Sequence, residues 1–145
     1  MSDDNPHPRV HHVSQWLHNR SLLSIIPLTH HDWLITVAFY TALQAVDALL
    51  AHDGIEVSRH DARLSALKNG RRYERVYRSY KPLYDLAYTT RYSAQPGLWV
   101  AREDVDAKVL RHLLYPLEQS IRNLLRLDDE VGRERFNPIH LRSST

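Results

Sequence analysis

Apolar positions recur along the chain at three- and four-residue spacing, and apolar and polar residues show no sustained alternation. That periodicity belongs to helices that each bury one stripe, so it predicts an all-α protein. A first helix is expected from about Val10 to Ser24, where Val13, Trp16, Leu17 and Leu23 share a face and Pro27 closes the segment. A second is expected after Thr29, with Thr29 and Asp32 spaced to cap its free amides. It continues through WLITVAFYTALQAVDALLA to Asp53-Gly54. Apolar on most of its circumference, this should be the central helix. Ile55 to Val57 form a connection, and Ser58 should cap a short helix from Arg59 to Lys68, with Asp61 in its first turn. Asn69-Gly70 then turns the chain into a helix over Arg71 to Thr90, bent at Pro82. After a loop carrying Gln95-Pro96-Gly97, a last long helix is expected from about Asp104 to Leu127. Val105, Val109, Leu113, Leu117, Ile121 and Leu124 mark it, and Pro116 should kink it. Residues 1–9 read as a flexible N-terminus. Residues 128–145 read as a polar C-terminal tail from which Phe136, Ile139 and Leu141 can dock. The sum is one domain over 1–145, an antiparallel bundle of four to five helices.

Composition narrows the class. The chain has 145 residues, 43% hydrophobic and 25% charged, which fits a single soluble domain. It has no cysteine, which removes disulfides, thiolate zinc sites and cysteine nucleophiles together, and which fits a reducing, cytoplasmic compartment. The start, MSDDNPHPRVHH, is polar and acidic and reads as no secretory signal. The longest run free of charge and histidine, Trp33 to Val46, is too short for a bilayer, so no membrane partner is expected. Four glycines argue against a Gly-rich phosphate loop. The net charge of +2 conceals an asymmetry: between Arg59 and Arg91 lie nine basic and three acidic residues. Such a window is a candidate anion-binding surface, and arginine, whose planar fork suits phosphate, dominates it.

Within that window, His60 and Arg63 are three apart and share a helix face near an N-terminus, where the dipole also favours phosphate. With Arg59 and Arg91 they could form an anion pocket, and a histidine could move a proton there. The plainer alternative has His60 closing the turn and Arg63 solvated. Tyr73, Tyr77, Tyr80, Tyr84 and Tyr88 follow at helical spacing, ending one turn before Arg91-Tyr92. Rings beside arginines suit stacking on single-stranded RNA, while the plainer reading of the stripe is core or dimer seam. His7 and His11, and the His31-Asp32, His52-Asp53 and His60-Asp61 pairs, raise a metal site. Two of those pairs are explained as helix ends, so no metal and no other cofactor is assigned.

The stretch AFYTALQAVDALLAHDGIEVSRHDARLSAL resembles a HEPN domain. The likeness lies in Phe39-Tyr40-Thr41-Ala42, in the glycine-terminated helix from Ala48 to Gly54, and in the Ser58 to His60 turn. Leu83 to Ser93 (LYDLAYTTRYS), the His18-Asn19 pair and the Asp32-Trp33 start add to it, over roughly Trp16 to Leu127. The resemblance implies an antiparallel helical bundle that commonly forms a two-fold dimer. In active members it implies an Arg–x(4–6)–His motif that cleaves RNA without metal, the histidine activating a ribose 2′-hydroxyl and the arginine stabilising the phosphate. This chain departs from that motif. Arg91 and Arg102 have no histidine at the required spacing, and His112 follows Arg102 with nine residues between. Formal matches, Arg135–x4–His140 and Arg133–x6–His140, fall in the tail with Pro138 inside them. The expected function is therefore a catalytically degenerate, homodimeric HEPN-like protein of a bacterial defence or toxin–antitoxin system. It would bind RNA or a nucleotide phosphate through Arg59, His60, Arg63, Tyr84, Arg91 and Tyr92, with Arg63 an exposed charge. The alternative is a metal-independent endoribonuclease with His60 as general base and Arg63 or Arg91 on the phosphate. A third reading is a protein-interaction module, with the tyrosine stripe facing a nucleotidyltransferase-type antitoxin.

Overall fold

A computed structural model describes residues 7–92 and 100–143. The first part of the expected flexible N-terminus and the Gln95-Pro96-Gly97 loop lie outside the described residues. The chain is all-α: no strand forms among the described residues. Helix α1 spans Pro8–Leu22, α2 His31–His52, α3 His60–Lys68 and α4 Glu74–Tyr92. Helix α5 has two parts, a π-helical stretch Val105–Leu114 that continues as α-helix over Tyr115–Leu125, and a single turn, α6, covers Asp128–Val131. Tight 3₁₀ turns precede α2 (Leu28–His30), α4 (Arg71–Tyr73) and α5 (Arg102–Asp104), and another closes the tail at Arg133–Phe136.

Helix α2 is central because it is apolar nearly all round, and α1, α4 and both parts of α5 pack on it. Its length and hydropathy would also let a helix cross a membrane. Most of the qualifying run, Leu28–His52, is instead buried in this bundle, as in a core helix. The helix ends as its sequence dictates. Gly54 takes φ +80°, its N–H donates to the Ala51 carbonyl at 3.0 Å, and the Ile55 N–H reaches back to Leu50 at 2.8 Å. Its start differs from expectation: Thr29 lies in the 3₁₀ turn, and no side chain caps α2. Nor does Ser58 cap α3, whose capping position is Arg59.

Pro116 does not merely kink the last helix. The N–H of Tyr115 donates to the Leu110 carbonyl, five residues back, so the turns before the proline are widened. Pro82 sits inside α4, which remains one continuous helix from Glu74 to Tyr92.

The C-terminal segment is polar in composition yet firmly docked. Arg20, buried on α1, donates its Nε to Glu118 Oε2 at 2.9 Å, and its two terminal nitrogens donate to the carbonyls of Asn137 (2.8 Å) and Phe136 (3.1 Å). Trp16 Nε1 donates to the same Glu118 oxygen at 2.7 Å. Burial pushes the Glu118 carboxyl above its ordinary range, against the opposing pull of Arg20 and Trp16. Phe136 is buried against Trp16, and the Arg122 guanidinium lies 4.5 Å over its ring. Farther along, the Ile139 N–H donates to the Tyr115 hydroxyl at 2.7 Å, and a single bridge ties Arg142 to Pro27.

Candidate functional site

Helix α2 carries one carboxylate deep in its apolar face, Asp47, and a buried charge needs a partner. Arg63, projecting from α3, supplies it in a two-pronged pair: Nε to Asp47 Oδ1 at 2.7 Å and Nη2 to Oδ2 at 3.1 Å. Arg63 is only 4% exposed. This corrects the expectation of a solvated phosphate-binding charge: the guanidinium is spent on Asp47 and pins α3 to α2. The Tyr80 hydroxyl lies beside the pair, close enough for Arg63 to act on it, yet has no hydrogen-bond partner of normal geometry. Burial pushes that phenol well up.

The remaining nitrogen of Arg63, Nη1, faces His60 Nδ1 at 3.4 Å. A guanidinium can only donate, so Nδ1 must be the acceptor and the neutral ring carries its proton on Nε2. Burial of the ring holds the His60 pKa below 6.5, and the nearby charges of Arg63 and Arg91 lower it further. The ring leans on Phe39 (centroids 6.0 Å apart) and Tyr84 (5.5 Å), while the residue as a whole stays exposed. Such a histidine is a neutral donor through Nε2–H. As long as Arg63 occupies Nδ1, it offers no free lone pair to act as a general base.

On the same face, Arg91 at the end of α4 donates Nη1 to the Tyr40 hydroxyl at 2.5 Å. Its guanidinium also lies over the rings of Tyr40 (5.6 Å) and Tyr92 (5.2 Å), at an exposed position. Beyond it, Tyr92 stacks obliquely on Tyr88 at 4.8 Å, the two being 66% and 55% exposed. A shallow cleft between α2 and α4, lined by Asp32, Trp33, Thr36, Thr90 and Arg91, opens beside them.

Of the residues expected at the site, the structure thus brings His60, Tyr84, Arg91 and Tyr92 to one face. Arg63 lies beneath His60 as its support. Arg59 is elsewhere engaged, its Nη2 3.0 Å from Asp61 in an exposed pair. The tyrosine stripe divides between roles: Tyr73 and Tyr80 are buried, Tyr77 and Tyr84 half-buried, and Tyr88 and Tyr92 exposed. No three His, Asp or Glu side chains gather to hold a metal ion among the described residues. His7 instead accepts a hydrogen bond from the Arg9 backbone and starts α1. Two participants escaped the sequence reading. Asp47 had a signal, a lone acid in an apolar helical run, whereas Tyr40 had none beyond its place beside Phe39. Comparison with family models, with curated proteins and with solved structures finds no match to this chain.

Proposed function

We propose that this chain is a HEPN-like bundle that binds RNA or a nucleotide phosphate, without cleaving it, on the face shared by α2, the start of α3 and the end of α4. The hydrogen bonding of His60 carries the reading. Its Nδ1 accepts from Arg63, so Nε2–H is left as a donor suited to a phosphate oxygen. Arg91, held over Tyr40, supplies the cation, and Tyr84, Tyr88 and Tyr92 supply rings on which unpaired bases can stack. Donor, cation and rings together favour recognition over proton abstraction.

Fluorescence anisotropy with labelled single-stranded RNA, in EDTA and over a range of salt, tests this. Arg91→Ala should weaken binding roughly tenfold and flatten the salt dependence by about 0.7 in log–log slope, the share of one phosphate contact on a single strand. Tyr84→Ala should cost about 1–3 kcal/mol of binding if a base stacks there. The RNA should stay intact. Cleavage that disappears in His60→Ala would replace this reading with the ribonuclease, and salt-independent affinity would remove the phosphate from it.

A further inference from the structure

We infer that the cleft where the start of α4 meets α5 is a second anion site, built for a small phosphoryl group and separate from the His60 face. Arg71 and Arg75 stand four apart on one wall, and neither pairs with a carboxylate among the described residues. Their neighbours Arg72 and Arg78 do find acids, Asp53 and Glu74, so within this turn it is Arg71 and Arg75 that keep their charge unneutralised.

Their backbone is held in place. Arg72, between them in sequence and also in the lining, is committed to Asp53 at the end of α2 through two hydrogen bonds, 2.8 and 3.0 Å. Tyr73 donates its hydroxyl to the same carboxylate at 2.5 Å. The 3₁₀ turn that presents Arg71, and the first turn of α4 that presents Arg75, are therefore clamped to the core helix.

The opposite wall is α5, and its polar groups are oriented by a chain of hydrogen bonds. Asp128 holds Arg122 at 2.7 and 2.8 Å, Arg122 Nη1 donates to Gln119 Oε1 at 3.3 Å, and Gln119 Nε2 donates to Asn123 Oδ1 at 2.9 Å. Asn123, its carbonyl oxygen already accepting from Gln119, lines the cleft together with Ser120 and retains an NH₂ group able to donate. Glu74, the one carboxylate in the lining among the described residues, lies 3.6 Å from Arg78 on its own helix. Two arginines without a carboxylate partner, an asparagine and a serine thus line a space of about 280 Å³, just below the size of ordinary drug-sized pockets. Planar arginine forks bind phosphoryl oxygens in pairs, which selects a phosphate over a simple halide. Arg75 and Arg91 are separated by about 24 Å along α4 at ~1.5 Å per residue, so one phosphate cannot serve both sites.

Titration calorimetry of the full chain with pyrophosphate, at constant ionic strength, is the test. Arg71→Gln and Arg75→Gln each alter an exposed side chain and should leave the thermal melt unchanged while weakening pyrophosphate at least tenfold. Asn123→Asp, which replaces the donor with a carboxylate, should abolish binding. Arg91→Ala should leave pyrophosphate within twofold of the parent, which separates this site from the RNA face. Pyrophosphate affinity that survives Arg75→Gln, or an absence of binding to the parent at millimolar concentration, overturns the assignment. Oligonucleotides with a 5′-phosphate and a 5′-hydroxyl identify the source in the Arg91→Ala background. Tighter binding of the phosphorylated one that vanishes with Arg75→Gln supports the site as a pocket for a nucleic-acid end. Equal binding of the two, with pyrophosphate still dependent on Arg75, supports it as a pocket for a free phosphate compound.

Discussion

At the scale of single residues, Asp47, Arg63 and His60 form a line in which each group fixes the next. Asp47, buried in the apolar face of α2, is held by Arg63, and Arg63, once committed, turns its remaining nitrogen to His60. Arg63→Ala should therefore act on stability rather than on affinity alone. Leaving Asp47 buried and unpaired should cost about 3–5 kcal/mol. Thermal melts should show a Tm lower by about 10 °C or more, and a paired Asp47→Leu, Arg63→Met replacement should recover much of it. An unchanged Tm in Arg63→Ala would mean the pair does not form. The histidine makes a separate prediction. Its folded-state pKa lies below the 6.5 of the unfolded chain, so near that pH the unfolded state binds more protons. Its contribution to stability is complete above pH 6.5 and is lost as pH falls through the folded pKa. NMR titration should place the His60 midpoint below 6.5, and Arg91→Ala should move it upward; a midpoint above 6.5 contradicts the geometry. Helical spacing puts Tyr84, Arg91 and Tyr92 on neighbouring turns of α4, and the basic window of the sequence added His60, which comes from α3. It could not show that Arg63 faces inward, because that depends on the carboxylate of another helix sixteen residues earlier.

At the scale of elements, the periodic pattern located α1 to α4 because apolar stripes and breakers are local properties. The end of α2 was legible to the residue, since only glycine readily adopts the positive φ of Gly54. Starts were less so: Thr29 and Ser58 have capping chemistry, yet the chain enters α2 through a 3₁₀ turn and α3 through Arg59. In α5 the apolar residues Val105, Val109, Leu113 and Leu117 recur every four positions, longer than the α-helical period. The structure meets that drift with a π-helical stretch, in which residues four and five apart share a face. Val105, Val109, Leu110, Leu113 and Leu114 are all buried. The polar tail was the least legible element. Its Phe136, Ile139 and Leu141 do pack on the core, but the anchoring comes from Arg20, a helix-face arginine with no local hint of burial. Phe136→Ala removes the ring that Trp16 and Arg122 enclose and should destabilise the fold by about 3–5 kcal/mol, read in a denaturant or thermal melt. A loss below about 1 kcal/mol would show that the tail does not contribute to the core.

At the scale of the whole molecule, the described chain is one hydrophobic cluster to which α1, α2, α4, α5 and the docked tail all contribute. Two charge pairs buried within it, Arg63 with Asp47 and Arg20 with Glu118, tie α3 to α2 and α1 to α5. Isolated buried pairs are weak sources of net stability, but they penalise alternative packings in which a charge would be left alone. The basic window of the sequence resolves into two surfaces on opposite ends of α4: Arg91 with its rings at one, Arg71 and Arg75 at the other. The sequence by itself determined the helical class, the central place of α2, the glycine stop at its end, and the concentration of arginine and tyrosine in one region. These follow from spacing and composition, which are written locally. Only the tertiary structure decided which arginines are spent on buried acids and which remain free to meet an anion. It also decided which nitrogen of His60 carries the proton, and that the polar tail is anchored. Each of these depends on groups from distant segments meeting within hydrogen-bond reach, and the pattern along the chain does not encode that meeting.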